Sequence, residues 1–226
     1  MTVKQVIALD GPSGVGKSTI AKRLAQELGW THLDTGALYR AITHAWLEAG
    51  ADPSWLDQPE WLQSLQVSYQ LGKTQLNGRD VSKAIRSQNV TEQVSFVSSH
   101  AAVRQQLTAI QRDLAAKGKM ILDGRDIGTV VVPDAFLKVF MLASVDERAK
   151  RRWLQLGGDQ QGQSLASIRA AVADRDHQDE TRALAPLKPA SDAWILDTDP
   201  LSIDQVVAAI MQEVHRRLEA CPSSAS

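Results

Sequence analysis

Between an apolar run and a helical run the chain carries Gly11-Pro12-Ser13-Gly14-Val15-Gly16-Lys17-Ser18-Thr19. Bare glycine backbone, one cation and several hydroxyls in one short stretch suit a chain of phosphates. Glycines let the backbone wrap with its N–H groups turned inward, and a helix beginning near Lys17 adds its positive end. Gly11 to Ser18 fits the Walker A pattern at every fixed position. The segment is therefore expected to bind ATP, with Lys17 at the terminal phosphates and Ser18 on Mg2+. A second metal partner follows much later, where the apolar run "MILDG" ends in Asp123. Its carboxylate is expected to hold Mg2+ through water.

A phosphate loop of this kind serves switches, motors and small kinases alike. The chain has no guanine-reading Asn-Lys-x-Asp, and its one Asp-x-x-Gly, Asp159 to Gly162, lies in a glycine-rich loop. A length of 226 residues leaves little room for motor machinery. A kinase needs a second phosphate site, and the charged residues offer one. "LDTGALYR" puts Asp34 or Thr35 at a helix start, with Arg40 in the first turns. "DGRDIG" puts Arg125 and Asp126 just past the strand bearing Asp123, where ligands of open α/β sheets sit. Counting i+7, i+11 and i+14 from Ile168, the stripe of Leu165, Ile168 and Val172 becomes Arg175, Asp179 and Arg182. A solvated Arg–Asp ladder has the same spacing. A non-catalytic switch, by contrast, needs no second phosphate site.

Elements must position these groups. "VIAL" (6–9), "WTHL" (30–33), "MIL" (120–122), "KVFML" (138–142) and "AWIL" (193–196) read as strands. Most lack alternation, as strands covered on both faces do. Helical patterns follow them: Lys17 to Leu28 ending at Gly29, Ala37 to Glu48, 146–156 after a Ser144/Glu147 capping pair, and a last helix after Ser202/Gln205. The fold class expected is α/β, a P-loop NTPase with an open parallel sheet and helices on both faces. Alternation at Leu65, Val67, Tyr69 and Leu71, then Asn77-Gly78, marks a small antiparallel insert, about 62–90. "LGGDQQGQS" (156–164) marks a mobile element within a lid of about 148–185. One domain spans 1–226, with 220–226 as a flexible tail.

Composition narrows the setting. Hydrophobic residues make up 43%, charged residues 23%, and the net charge is −1. No global field draws nucleic acid or an anionic membrane, so any phosphate site is a local cluster. One cysteine, Cys221, makes no internal disulfide. With no signal-peptide pattern and no run of about 18 apolar residues, a cytoplasmic protein is expected. The five histidines share no ligand spacing and read as structural; the six tryptophans are too scattered for a stacking platform. Nothing asks for more than a monomer.

Taken in order, "DGPSGVGKST", "LDTGALYR", "DGRDIGTVV.PDA" and "R....APL" from Arg182 resemble the bacterial cytidylate kinase family of nucleoside monophosphate kinases, over essentially the whole chain. The resemblance implies transfer of phosphate from ATP to CMP or dCMP. It implies that Arg40 grips the acceptor phosphate, assisted by Arg125 and Arg182, with Arg175 and Thr35 on the acceptor side. It implies that Asp179 holds the ribose hydroxyls, and that Ser95, Arg104 and Asp126 form the base pocket. That pocket suits cytosine: N4 donates to a carboxylate, while N3 and O2 accept from Arg104 and Ser95. Uracil would set O4 against the carboxylate. Kinases of UMP, of several pyrimidine nucleotides or of another small acid remain alternatives. Around Asp179 the family often has a denser arginine run, where this chain has Gln178 and Glu180. The lid also draws on Arg148, Arg151 or Arg152.

Overall fold

A computed structural model describes residues 5–70, 72–158 and 163–220. Its main sheet has five parallel strands in the order β2-β6-β1-β7-β8. These are β1 (Val6–Asp10), β2 (Thr31–Asp34), β6 (Met120–Gly124), β7 (Leu137–Leu142) and β8 (Trp194–Asp197). β1, β6 and β7 extend their apolar runs by a residue or two, whereas β2 and β8 begin and end one residue later than expected. All of β1 and β6 is buried, which explains their uniform apolarity.

The pleat of β1 divides the core in two. Val6 and Ala8 face a cluster built on α2 (Thr35–Glu48), α4 (Gln88–Ser99) and α5 (Ala101–Ala115). Ile7 and Leu9 face the other, built on α1 (Lys17–Leu28) and α8 (Ile203–Ala220). Successive side chains leave a strand on opposite faces, so one five-residue strand anchors both layers. The remaining helices are the short α3 (Pro59–Ser64), α6 (Val145–Gln155) and α7 (Leu165–Thr181).

Caps set the helix ends. Asp34, not Thr35, caps α2, its Oδ1 accepting from the Ala37 N–H at 3.1 Å. Ser144 Oγ accepts from the Glu147 N–H at 3.2 Å. Ser202 and Gln205 bond reciprocally, at 2.8 and 3.2 Å, as a capping box does.

The insert is a three-stranded antiparallel sheet, β3 (Val67–Gln70), β4 (Lys73–Leu76) and β5 (Arg79–Asp80). Asn77 and Gly78 join β4 to β5 with φ of 50° and 77°, the left-handed pair that a two-residue hairpin requires. Leu71, expected in the alternation, and the Asp159–Gly162 stretch lie outside the described residues, as does the tail 221–226 with Cys221.

The stripe on α7 needs one correction. Ile168 and Val172 are buried and pack with Ala149 of α6, but Leu165 is 43% exposed. It occupies the first helical position, a turn before α6 and α7 close on each other.

Candidate active site

The phosphate loop joins the end of β1 to α1. A side chain at Gly11 would overlap the Met141 carbonyl oxygen of β7, and Gly11 sits at φ 146°. Only glycine lets the loop leave the sheet so close to its neighbour. Lys17 is buried, its Nζ donating to the carbonyls of Gly11 and Pro12 at 2.7 Å each. Burial pushes its ammonium well below the usual lysine range, and the Arg125 charge adds to that; Asp123 opposes it. Val15 is packed in the core behind the loop. Ser13, Gly14, Gly16, Ser18 and Thr19 line the cleft.

Ser18 Oγ donates to Asp123 Oδ2 at 2.7 Å, bringing α1 and β6 together across 105 residues. The other carboxylate oxygen, Oδ1, lies 2.5 Å from His32 Nε2. Burial by itself raises the Asp123 carboxyl, but His32, Ser18 and Lys17 outweigh it and hold the group below its ordinary value. A hydroxyl and an ionised carboxylate in contact form a hard oxygen donor set. They fit a magnesium ion, which takes one or two protein oxygens and fills its shell with phosphate and water.

The opposite wall of the cleft, about 280 Å³ in volume, is cationic. Arg40 Nη1 donates to Thr91 Oγ1 at 2.9 Å and weakly to the Ile85 carbonyl. Burial, then the charges of Arg175 and Arg86, depress it to about 9. Arg175 is depressed to about 10, mainly by burial and then by Arg125, and its buried Nε has no hydrogen-bond partner. Arg125 Nε donates to Asp179 Oδ2 at 2.8 Å. Arg182 follows the end of α7, with its Nε on the Ala185 carbonyl at 2.7 Å. Burial and Arg104 depress it. Cations crowded out of water and depressing one another leave unspent attraction for an anion.

Beyond the arginines lies a polar pocket. Arg104 and Asp126 form a buried ion pair, and Arg104 Nη1 donates to the Ser98 carbonyl at 3.2 Å. Its guanidinium lies 5.5 Å from the Tyr39 ring centre. Arg182 Nη2 is 3.5 Å from the free oxygen of Asp126. Ser95 and Ser98 line the same end, and the Tyr39 hydroxyl has no hydrogen-bond partner.

Most of the sequence-derived residues meet in one cleft, Gly11, Pro12 and Val15 not being among its lining, with one difference of detail and several additions. Thr35 lines the cleft, but its buried hydroxyl donates to the Asp123 carbonyl at 2.6 Å and secures β6 instead of pointing to an acceptor. Of the three lid arginines only Arg152 lines the cleft. Arg151 donates to the Thr198 carbonyl at 3.1 Å, and Arg148 is buried against Asp176. Asp176 also accepts from the Ser13 N–H at 3.3 Å, tying α7 to the phosphate loop. Spacing could have found it, since it stands four residues after Val172. Nothing in the sequence marked Arg86, which lines the cleft and donates to Asp34 at 2.6 Å. His32 is structural in that it orients a site carboxylate, a role visible only once β2 pairs with β6.

Comparison with known proteins shows the family. The family model described as cytidylate kinase matches residues 7–216. A cytidylate kinase of Bacillus cytotoxicus is 46% identical over 218 residues, 94% of this chain and 97% of that protein. One from Bacillus cereus is 47% identical over 213 residues, 92% of this chain and 95% of that protein. Among solved structures, a shikimate kinase of Bacteroides thetaiotaomicron aligns with a TM-score of 0.51 at 14% identity, over 93% of this chain and 98% of that one. A putative kinase of Chloroflexus aurantiacus gives 0.51 at 18% identity, over 97% of this chain and 98% of that one. At such identities the two structures show a shared fold alone.

Proposed function

Because this chain belongs to the cytidylate kinase family and is a CMP kinase, we propose how its cleft carries the terminal phosphate of ATP to CMP or dCMP. The observation that carries the reading is the pairing of walls: Lys17 and the loop amides face a cluster of half-buried arginines across one cleft. That is two phosphate sites in one cleft, which a donor and an acceptor require and a switch does not.

On the donor side the loop amides and Lys17 hold the ATP phosphates, phosphate oxygens replacing the Gly11 and Pro12 carbonyls as partners of the ammonium. Ser18 would hold Mg2+ directly and Asp123 would do so through water, with His32 fixing the carboxylate. The ion neutralises charge on the phosphates when bound. On the acceptor side Arg40, Arg125, Arg175 and Arg182 receive the CMP phosphate. Asp179, held ionised by Arg125 and Arg175 against the effect of burial, accepts from the ribose hydroxyls. Asp126 accepts from cytosine N4, while Arg104 and Ser95 donate to N3 and O2. To do so Arg104 and Asp126 open part of their mutual ion pair toward the base. The attacking group is a phosphate oxygen, anionic at neutral pH, so no side chain need remove a proton. Lys17, Arg125 and Arg182 act by placing the two phosphates in line and by stabilising the transferring group. Residues 148–185 form a lid over this reaction, which brings Arg152, Arg175 and Arg182 onto the phosphates and excludes water. The insert, about 62–90, borders the acceptor side through Arg86. Among the described residues no helix is long and apolar enough to cross a membrane, and nucleotide substrates support a cytoplasmic setting.

The test is Mg·ATP-dependent ADP formation with CMP, dCMP, UMP, AMP, GMP and shikimate offered separately. Fast turnover with CMP and dCMP and slow turnover with UMP is the expected result. A UMP rate equal to that with CMP would remove the base-pocket assignment of Asp126, Arg104 and Ser95.

A further inference from the structure

Asp10 ends β1 next to the phosphate loop, yet its carboxylate belongs to the other half of the site. It is 5% exposed, and each oxygen takes one backbone amide, Ile127 N–H to Oδ1 and Gly128 N–H to Oδ2, both at 2.8 Å. These are the two amides that follow Asp126, at the start of a π-helical turn, Ile127–Val131. The first amides of such a turn have no partner within it, and here a side chain from another strand supplies both acceptors.

The neighbours leave little play in this contact. A Cβ on Gly128 would stand 3.1 Å from Lys138 Cδ, so the stem of a β7 lysine closes the far side. A Cβ on Gly124 would stand 2.6 Å from Ile127 Cδ1 and 2.8 Å from Thr35 Oγ1. Upstream, Leu9 pairs with Asp123 and Asp10 with Gly124 in the parallel ladder. The short span carrying Arg125 and Asp126 therefore hangs between two attachments to the same end of β1, one made by backbone pairing and one by the Asp10 carboxylate. Asp126 itself has non-helical backbone angles, φ −144° and ψ 25°, so those attachments set where its backbone stands, while Arg104 and Arg182 hold its carboxylate. Asp10 is not among the residues lining the cleft, so it reaches a nucleotide only indirectly, through that span and through its charge near Asp126 and Lys17.

We propose that Asp10 is a positioning residue for base selection, aiming the Asp126 carboxylate at the cytosine amine through the Ile127 and Gly128 amides. The inference rests on the reading of Asp126 as the base-reading group. Asparagine at position 10 keeps one acceptor but turns an NH2 group toward the second amide, so half of the attachment is lost while the volume is kept.

The experiment measures kcat and KM for CMP and UMP, and KM for ATP, in the full chain carrying Asp10→Asn, Gly128→Ala or Asp126→Asn. Asp10→Asn should raise KM for CMP and lower the CMP-over-UMP ratio of kcat/KM about tenfold, the scale of one misplaced polar contact. KM for ATP should stay within about twofold. Gly128→Ala presses on the same contact from the Lys138 side and should move the ratio in the same direction. It carries the test if Asp10→Asn does not fold. A merely structural Asp10 would lower the melting temperature and leave the ratio unchanged in both variants, which overturns the proposal. Asp126→Asn separates the two ideas. If it leaves the ratio unchanged, the base-pocket reading fails and this inference fails with it; if it alone changes the ratio, only the role of Asp10 is refuted.

Discussion

At the scale of single residues the site is organised by burial of charge. Arg40, Arg175 and Lys17 are all driven below their ordinary values, first by loss of water and then by neighbouring cations, with Arg125 acting on all three. Such groups destabilise the empty protein and are repaid by an anionic ligand. Asp10 shows the same effect with the opposite sign. Burial raises its carboxyl to about 6, against the restraining hydrogen bonds of Gly128 and Ile127. Its folded value lies above its unfolded one, so between about pH 4 and 6 the folded state binds the extra proton. Stability should therefore fall as pH rises through that window and level off above about 6, by on the order of 3 kcal/mol in all. Urea unfolding of the parent and of Asp10→Asn across pH 4–7 measures the difference. The variant should lack this component, and equal slopes for the two proteins would refute the assignment. Lys17, Ser18 and Asp123 were legible in the sequence because loop, strand and helix follow one another locally. His32 was not, because its contact depends on which strand lies beside β6.

At the scale of elements, α7 does two jobs with one face. Ile168 and Val172 hold it to α6, and Asp176 and Asp179 continue that face into the site. Periodicity read Asp179 and the arginines from the sequence, and the same count reaches Asp176. What the count could not supply was the partner: Arg148, which also donates to the Ser13 carbonyl at 3.0 Å and the Ala143 carbonyl at 2.9 Å. Asp176→Ala leaves that guanidinium buried without its carboxylate, a change that costs about 3 kcal/mol in comparable sites. It also frees the Ser13 amide at the tip of the phosphate loop. We expect lower stability in urea together with a KM for ATP raised severalfold and a KM for CMP raised less. The reverse ranking of the two KM values would mean that α7 serves the acceptor side only. The hairpin of the insert is the contrasting case. Asn77 and Gly78 specify their own turn through left-handed backbone angles, so that element was readable from two residues.

At the scale of the whole molecule, two layers on one sheet bring the phosphate loop and the arginine cluster to the same edge. β1 and β6 end side by side, so the phosphate loop, Asp123 and Arg125 emerge together, while α7 returns from much later in the chain to face them. The acceptor wall holds buried cations short of a counter-charge, so CMP should stabilise the entire fold and cytidine, lacking the phosphate, should do so far less. At 100 times its Kd, CMP contributes about 2.7 kcal/mol, which in a chain of this size corresponds to a rise of roughly 5–10 °C in Tm. A thermal scan with each ligand at the same concentration checks this, and equal shifts from CMP and cytidine would mean that the arginines do not bind the phosphate.

The sequence by itself determined the five strands to within a residue or two, the helices α1, α2, α6, α7 and α8, the phosphate loop and its lysine, because each depends on neighbours within a turn or two of chain; α4 and α5 were not read from it. It also named most of the charged residues now found in the cleft. Tertiary structure alone decided how those charges are paired: Arg104 with Asp126, Arg125 with Asp179, Arg148 with Asp176, His32 with Asp123 and Asp10 with two distant amides. It also turned the Thr35 hydroxyl to the backbone and singled out Arg152 as the α6 arginine facing the cleft. The physical reason is range. Helix periodicity and turn geometry are local, whereas an ion pair is set by which elements the core brings within a few ångströms, and strand order settles that only after the chain has folded.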